Sequence, residues 1–327
     1  MTAINDTKPI IEVQNLTKTY GSKTVLKGIS FKICKGKIVS ILGPNGAGKS
    51  TLIDILCTVR KSSGESGENA FVNRLDLIHE KDLIKKSIAY TPQDVVIYDQ
   101  LNAVENMVFF AVMHGIPKKI ATPTAQEILK KLGLGDRTDK VKNFSGGMKR
   151  RLNLGISAIM NPEILFLDEP TVGLDPDVRH LVWKFIRELK EHGSTVILTT
   201  HDMNEADQLS DYVIIMNEGQ IVQEGTPKDL KSKFSEQNVI ELTFKETVEG
   251  ESVTQIISNL KKLPYIKEIV RESERRISIF SSASLVEFNT MLSQNTTLPM
   301  AHVESTSFRQ GSLEDVFLRL TGRRLSE

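Results

Sequence analysis

The two cysteines of this 327-residue chain, Cys34 and Cys57, lie far apart and match no metal-ligand spacing. That excludes a disulfide-stapled or zinc-built scaffold and points to a reducing compartment with both thiols free. An excess of charge is missing too: the net charge is +1, so no basic field covers the chain and nucleic acid is not expected as a partner. No window reaches the roughly 18 uninterrupted apolar residues of a membrane span, and the first residues, MTAINDTKPI, hold no apolar stretch of signal-peptide length. A cytoplasmic protein is expected, with any membrane role supplied through a partner. What remains is ordinary in composition, 39% hydrophobic and 25% charged, enough to bury a real core in one large or two unequal domains.

The strongest local signal is the stretch Gly43 to Thr51 (GPNGAGKST). It follows an apolar, β-branched run at Lys37 to Leu42 and leads into Leu52 to Leu56, which predicts strand, tight turn and helix. That is the setting in which G-x-x-x-x-G-K-[ST] has physical meaning. Glycines let backbone N–H groups turn inward around an anion, and the start of the helix adds partial positive charge at the same point. Gly43, Pro44, Asn45, Gly46, Ala47 and Gly48 would form the cradle, with Thr51 at its end. Lys49 would reach the β- and γ-phosphates of a nucleoside triphosphate, and the Ser50 hydroxyl would help hold Mg2+.

Farther along, Ile164 to Leu167 (ILFL) is an apolar run closed by Asp168 and Glu169. A buried parallel strand takes this form when its C-terminal end faces a ligand crevice, and with a phosphate loop upstream the acidic pair reads as a Mg2+ site. Ser194 to Thr199 predicts another buried strand, after which His201 falls on the ligand side of the same sheet. Tyr20, at a polar hairpin edge, reads by itself as a packing residue. Between the strand regions, Asn102 to Ile128 has helical spacing interrupted at Gly115 to Pro117, and Ser145 stands at the N-cap of a further helix. These predict a helical subdomain over about 95–160.

From Phe234 the pattern changes to strand, helix, two strands, helix, strand: Val239 to Phe244, Ser252 to Leu263, Ile266 to Val270, Arg276 to Phe280, Ser284 to Leu292 and His302 to Phe308. This is the split-βαβ order of a ferredoxin-like domain. A final helix, Leu313 to Leu320, carries one apolar stripe through Leu313, Val316, Phe317 and Leu320. The expected division is therefore 1–233 and 234–327, the second part with no chemistry of its own and a regulatory or interaction role.

Over about Ile11 to Thr226 the sequence resembles the ATP-binding subunits of ABC transporters. Gly43 to Thr51 matches the Walker A motif, Gln93 the Q-loop, Ser145 to Gly147 the family signature, Ile164 to Glu169 Walker B, Gly173 to Asp175 the D-loop and His201 the switch histidine. Phe144 and Met148 depart from the usual Leu and Gln that flank the signature. The resemblance implies an α/β P-loop cassette, a mixed sheet core with a helical subdomain, followed by the small α+β domain. It implies ATP and Mg2+ as ligands, with Tyr20 stacking on adenine and Val25 alongside. Ser50, Gln93 and Asp168 would serve Mg2+, Glu169 would be the general base and His201 would sense the γ-phosphate.

Ser145 and Gly147 would contact the γ-phosphate held by a second copy, because the family sandwiches two ATP molecules in a head-to-tail dimer, and Gly146 and Asp175 would belong to the same nucleotide-binding set. The segment Ser312 to Arg323, with GGMKRRL, is similar to the daunorubicin-resistance-type ABC-2 exporter ATPases, which pair with a separate transmembrane permease. That implies a peripheral position on the cytoplasmic face of the membrane, and export of a drug, antibiotic, lipid or similar compound. The alternative is a soluble ABC-type ATPase with a regulatory or nucleic-acid-linked role. Against it stand one phosphate loop rather than two and the lack of a sustained heptad run.

Overall fold

The computed structural model describes residues 9–64, 67–235, 238–248, 251–282, 284, 286–287 and 302–321. The chain divides into two compact units, Met1–Glu224 and Gly225–Glu327.

In the first unit, β1 (Pro9–Tyr20) and β2 (Lys23–Cys34) pair antiparallel and open a four-stranded sheet of order β2-β1-β4-β5, completed by β4 (Asn69–Val72) and β5 (Leu75–Asp76). The second sheet contains the strands that precede the phosphate-loop motif, the acidic pair and His201. Its order is β10-β9-β3-β8-β7-β6, from β3 (Ile38–Leu42), β6 (Ile88–Thr91), β7 (Ile164–Asp168), β8 (Thr195–Thr200), β9 (Tyr212–Asn217) and β10 (Gln220–Gly225). Strands β6, β7, β8, β3 and β9 are mutually parallel, so their C-terminal ends share one edge.

Strand β7 shows why these residues make a central strand. Ile164 and Phe166 join the core beneath the antiparallel sheet and α1 (Lys49–Leu56), while Leu165 and Leu167 join the core on the opposite face. The period of two places alternate side chains in two separate cores, which demands a continuous apolar run. On that opposite face α6 (Pro176–Glu191) buries Val182, Trp183, Phe185 and Ile186, each contributing about 1.5–3 kcal/mol.

The helical subdomain comprises α3 (Ala103–Met113), α4 (Lys118–Lys131) and α5 (Gly146–Ala158) around Met107, Ala111, Leu129, Leu152 and Ile156. Helix α3 starts in a capping box: Asn102 accepts from the Glu105 N–H at 2.9 Å, and the Glu105 carboxylate accepts from the Asn102 N–H at 2.8 Å. In the first unit β4, β5, α2 (Lys81–Ser87) and α7 (Met203–Leu209) escaped the sequence reading. Each is too short and too polar to show a period.

The second unit begins with α8 (Pro227–Ser235), ahead of the division expected at 233/234, because α8 packs on the final helix, α10 (Leu313–Thr321). Its sheet has the order β12-β13-β11-β14, antiparallel throughout, from β11 (Asn238–Phe244), β12 (Ile266–Arg271), β13 (Arg276–Ser281) and β14 (Val303–Gln310). That is the strand order of a ferredoxin-like domain. Helix α9 (Glu251–Leu260) covers one face with Val253, Ile256 and Leu260. The helix expected at Ser284 to Leu292 lies mostly outside the described residues. The stripe of α10 is satisfied within the chain: Leu313, Val316 and Phe317 are buried and Leu320 is half-buried.

Candidate active site

The phosphate loop is held in shape by two glycine contacts. A Cβ on Gly43 would stand 2.3 Å from the Met216 carbonyl oxygen, and one on Gly219 would stand 2.3 Å from that of Val25. Gly219 also has φ +79, and its N–H donates to the Ala47 carbonyl at 3.1 Å. The β9–β10 turn is thereby fastened onto the loop, at distances no side chain would allow.

A cleft of about 620 Å3 opens beside the loop. It is lined by Lys23, Val25, Asn45, Gly46, Gly48, Lys49, Ser50, Thr51, Gln93, Glu169, Val172 and His201. Lys49 is 5% exposed, and its ammonium donates to the carbonyls of Gly43 at 2.7 Å and Pro44 at 3.1 Å. Burial lowers its pKa, while the carboxylates of Glu169 and Asp168 pull the other way. A buried cation with several donors can exchange such carbonyls for the oxygens of an anion.

Across the cleft, Asp168 accepts from the Ser50 hydroxyl at 3.2 Å and from the Thr199 hydroxyl. Burial raises its pKa, the two hydroxyl donors opposing. The next residue, Glu169, has the left-handed φ of +49. Its N–H is held by Thr199, 3.0 Å from the hydroxyl oxygen and 3.2 Å from the carbonyl. Its carboxylate lies 3.0 Å from His201 Nδ1 and accepts from Gln93 Nε2 at 3.4 Å. Three residues picked out from distant parts of the sequence thus meet at one carboxylate.

Ser50 and Asp168 offer two hard oxygen donors. Among the described residues no cluster of three or more His, Cys, Asp or Glu is set to hold a metal. A donor pair of this kind fits Mg2+, which takes few protein ligands and shares the rest with phosphates and water.

Tyr20 ends β1, 41% exposed and outside the cleft lining, with the Lys18 ammonium 4.8 Å over its ring. Ser145, Gly146, Gly147 and Asp175 are also absent from the lining. Ser145 is exposed and caps α5, accepting from the Met148 N–H at 3.3 Å, and Asp175 is exposed at the N-cap of α6. The two departures from the usual signature point inward: Phe144 is buried and Met148 packs on the helical-subdomain core. Lys23, Val172 and Thr199 were not foreseen. The polar run Thr199, Thr200, His201 at the end of an apolar strand was the signal for Thr199.

With the site assembled, comparison with known proteins decides the family. The profile of the ABC transporter family matches residues 26–172. The chain is 36% identical over 321 residues to the linearmycin resistance ATP-binding protein of Bacillus subtilis (strain 168), covering 97% of this chain and 100% of that protein. This chain belongs to the ATP-binding proteins of the ABC transporter family. The ABC ATPase is also 35% identical over 315 residues to the daunorubicin/doxorubicin resistance ATP-binding protein of Streptomyces peucetius, covering 95% of this chain and 92% of the relative. With Nod factor export ATP-binding protein I of Rhizobium etli it shares 32% over 318 residues, 97% of this chain and 95% of that one.

Among solved structures, an ATP-binding subunit of an ABC transporter matches with TM-score 0.62 at 26% identity, over 69% of this chain and 93% of that one. A dimeric ATP-binding cassette in a post-hydrolysis state, bound to ADP and Pi, matches with TM-score 0.60 at 27% identity, over 66% and 98%. ATP hydrolysis is the activity of this ABC cassette.

Proposed function

We propose that this ABC ATPase powers export of a hydrophobic drug-, antibiotic- or lipid-like compound through a separate transmembrane permease, from a peripheral position on the cytoplasmic face of the membrane. The observation that carries the reading is similarity over nearly the whole chain, second unit included, to proteins named for linearmycin and daunorubicin/doxorubicin resistance. Among the described residues no helix is long and apolar enough to cross a membrane. The transport path therefore falls to a partner.

In this reading Lys49 and the amides of Gly43 to Thr51 bind the phosphates of ATP, and Tyr20 with Val25 receives adenine. Ser50, Asp168 and Gln93 hold Mg2+, which when bound supplies neutralising charge at the phosphates. Glu169 takes the proton of the attacking water, and its placement between His201 and Gln93 supports that role. Ser145, Gly146, Gly147 and Asp175 lie outside their own cleft, which supports a head-to-tail pair in which they close over the partner's nucleotide. Opening and closing of that pair is the two-state element that drives the permease. The second unit, which contains none of these residues, serves as a regulatory or interaction module.

The test is capture of the full chain from membranes of its own host. An integral membrane protein that co-purifies, and that raises ATP hydrolysis when the two are reconstituted together, supports the proposal. A chain that stays in the soluble fraction and brings down no membrane protein overturns it.

A further inference from the structure

Behind the active site, one carboxylate gathers hydrogen bonds from three separate segments. Glu205, on α7 (Met203–Leu209), is 1% exposed. Its Oε1 accepts from the Thr171 hydroxyl at 2.7 Å and from Trp183 Nε1 at 3.0 Å, and the Thr200 hydroxyl is a further donor to the same carboxylate. Thr171 and Thr200 are themselves buried. Thr171 comes two residues after Glu169 and immediately before Val172, which lines the cleft. Thr200 directly precedes His201. Trp183 lies on α6, the helix that leaves the D-loop at Asp175.

A second tie runs parallel to the first. Arg179, one turn before Trp183 on α6, donates to Asp202 at 2.6 Å, and Asp202 caps α7 through the N–H groups of Asn204 at 2.9 Å and Glu205 at 3.2 Å. Helix α6 therefore grips the segment after β8 at two points, the N-cap of α7 and Glu205 within it. No cation pairs with Glu205 among these contacts, so an apolar residue would fill the same space without the cost of sinking a carboxylate. What the carboxylate adds is direction, because its donors fix three backbone segments to one point.

We propose that Glu205 is a positioning residue for ATP hydrolysis, locking the segment after Glu169 and the segment before His201 into a single frame. The inference rests on the reading of Glu169 as general base. Glu169 and His201 meet at 3.0 Å from two different loops, and the contact is only as well defined as the hold on each loop. The phosphate loop takes no part in this network. Loss of Glu205 therefore slows the chemical step while leaving nucleotide affinity in place.

The experiment uses the full chain and steady-state hydrolysis of Mg-ATP in Glu205→Met, Glu205→Gln and Thr171→Val. Trp183 is the sole tryptophan of the chain, so its emission reports directly on the network. Glu205→Met is expected to lower kcat about tenfold or more with KM within about threefold, and to change Trp183 emission. Glu205→Gln is expected to restore most of the rate, since its carbonyl oxygen accepts from Thr171 and Trp183 and its amide donates to the Thr200 oxygen. Thr171→Val loses one donor and falls severalfold in kcat alone.

A Glu205→Met enzyme within about twofold of the wild-type kcat overturns the proposal, as do a folded variant that loses kcat and ATP affinity together and a Gln variant that restores nothing. If Glu205→Met does not fold, Thr171→Val is judged by the same kcat and KM criteria. Glu169→Gln measured alongside separates the two readings: turnover at the wild-type rate there removes the base, whereas a dead Glu169→Gln beside a fully active Glu205→Met removes only the positioning role.

Discussion

The Thr199 hydroxyl accepts a 3.0 Å hydrogen bond from the backbone N–H of Glu169, and its own proton goes to Asp168. One buried side chain thus sets both carboxylates of the acidic strand end. It also steadies Glu169 in a left-handed conformation that costs about 1–3 kcal/mol for a residue with a side chain. Thr199→Val keeps the shape and removes both bonds. Hydrolysis should fall about tenfold with the protein still folded, as read from steady-state rates beside a thermal melt. An unaltered rate would mean that Glu169 keeps its place without this partner.

Glu169→Gln should abolish turnover, by about a hundredfold or more, because an amide of the same shape cannot accept the proton of water. ATP binding should survive, and the ATP-bound dimer should accumulate. Rate measurement together with size-exclusion chromatography in Mg-ATP checks both halves of the expectation.

Lys49→Ala removes the ammonium that donates at 2.7 Å and 3.1 Å to the loop carbonyls. In a cradle otherwise built of neutral amides this should weaken ATP binding about tenfold or more, measured by calorimetry. Equal affinity in the variant would show that the phosphates lie elsewhere.

Gly219→Ala places a methyl group 2.3 Å from the Val25 carbonyl oxygen at a φ of +79. The turn must move away from Ala47 and release the phosphate loop. A loss of about 1–3 kcal/mol in stability is expected, with weaker ATP binding, in a residue that never touches nucleotide. Denaturant melts and ATP titration of the same sample measure the two effects.

Burial pushes the Glu205 carboxyl above the usual carboxylate range, against the Thr171, Thr200 and Trp183 donors. The folded state therefore holds a proton at Glu205 more tightly than the unfolded chain does. Lowering the pH through the folded pKa toward the unfolded value relieves that penalty. Glu205→Gln has no charge to bury, so any gain in melting temperature over the wild type should be greatest near pH 7.5 and shrink toward pH 5. A difference that stays constant with pH would contradict the burial of charge.

The phosphate loop, the acidic strand end and His201 were legible because each is a short linear pattern beside a strand of unmistakable apolar character, whereas Gln93, after the mixed strand Ile88–Thr91, stood out only through the family resemblance. Thr199, Gly219 and Glu205 were not legible in the same way. Gly219 read only as a turn glycine, since nothing local says that Val25 packs 2.3 Å from the Cβ it lacks. Glu205 sits in a seven-residue helix, too short for a period, and an isolated glutamate there reads as solvent-facing. Its burial is decided by α6 and by the segment after Glu169, both remote in sequence. The end of the first unit was misplaced for a related reason: α8 is a short polar helix whose membership depends on α10, the last helix described.

The order β9-β3-β8 bears on how the protein is made. Strand β3, which delivers the chain into the phosphate loop, finds its parallel neighbours only at Thr195–Thr200 and Tyr212–Asn217. A nascent chain carries its nucleotide motif early, yet it has no sheet on which to display it until most of the cassette has left the ribosome. Pairings this distant in sequence are slow to close. Ribosome-stalled chains that stop short of β9 should be unable to retain ATP, and the half-made cassette should be a client of chaperones rather than an enzyme.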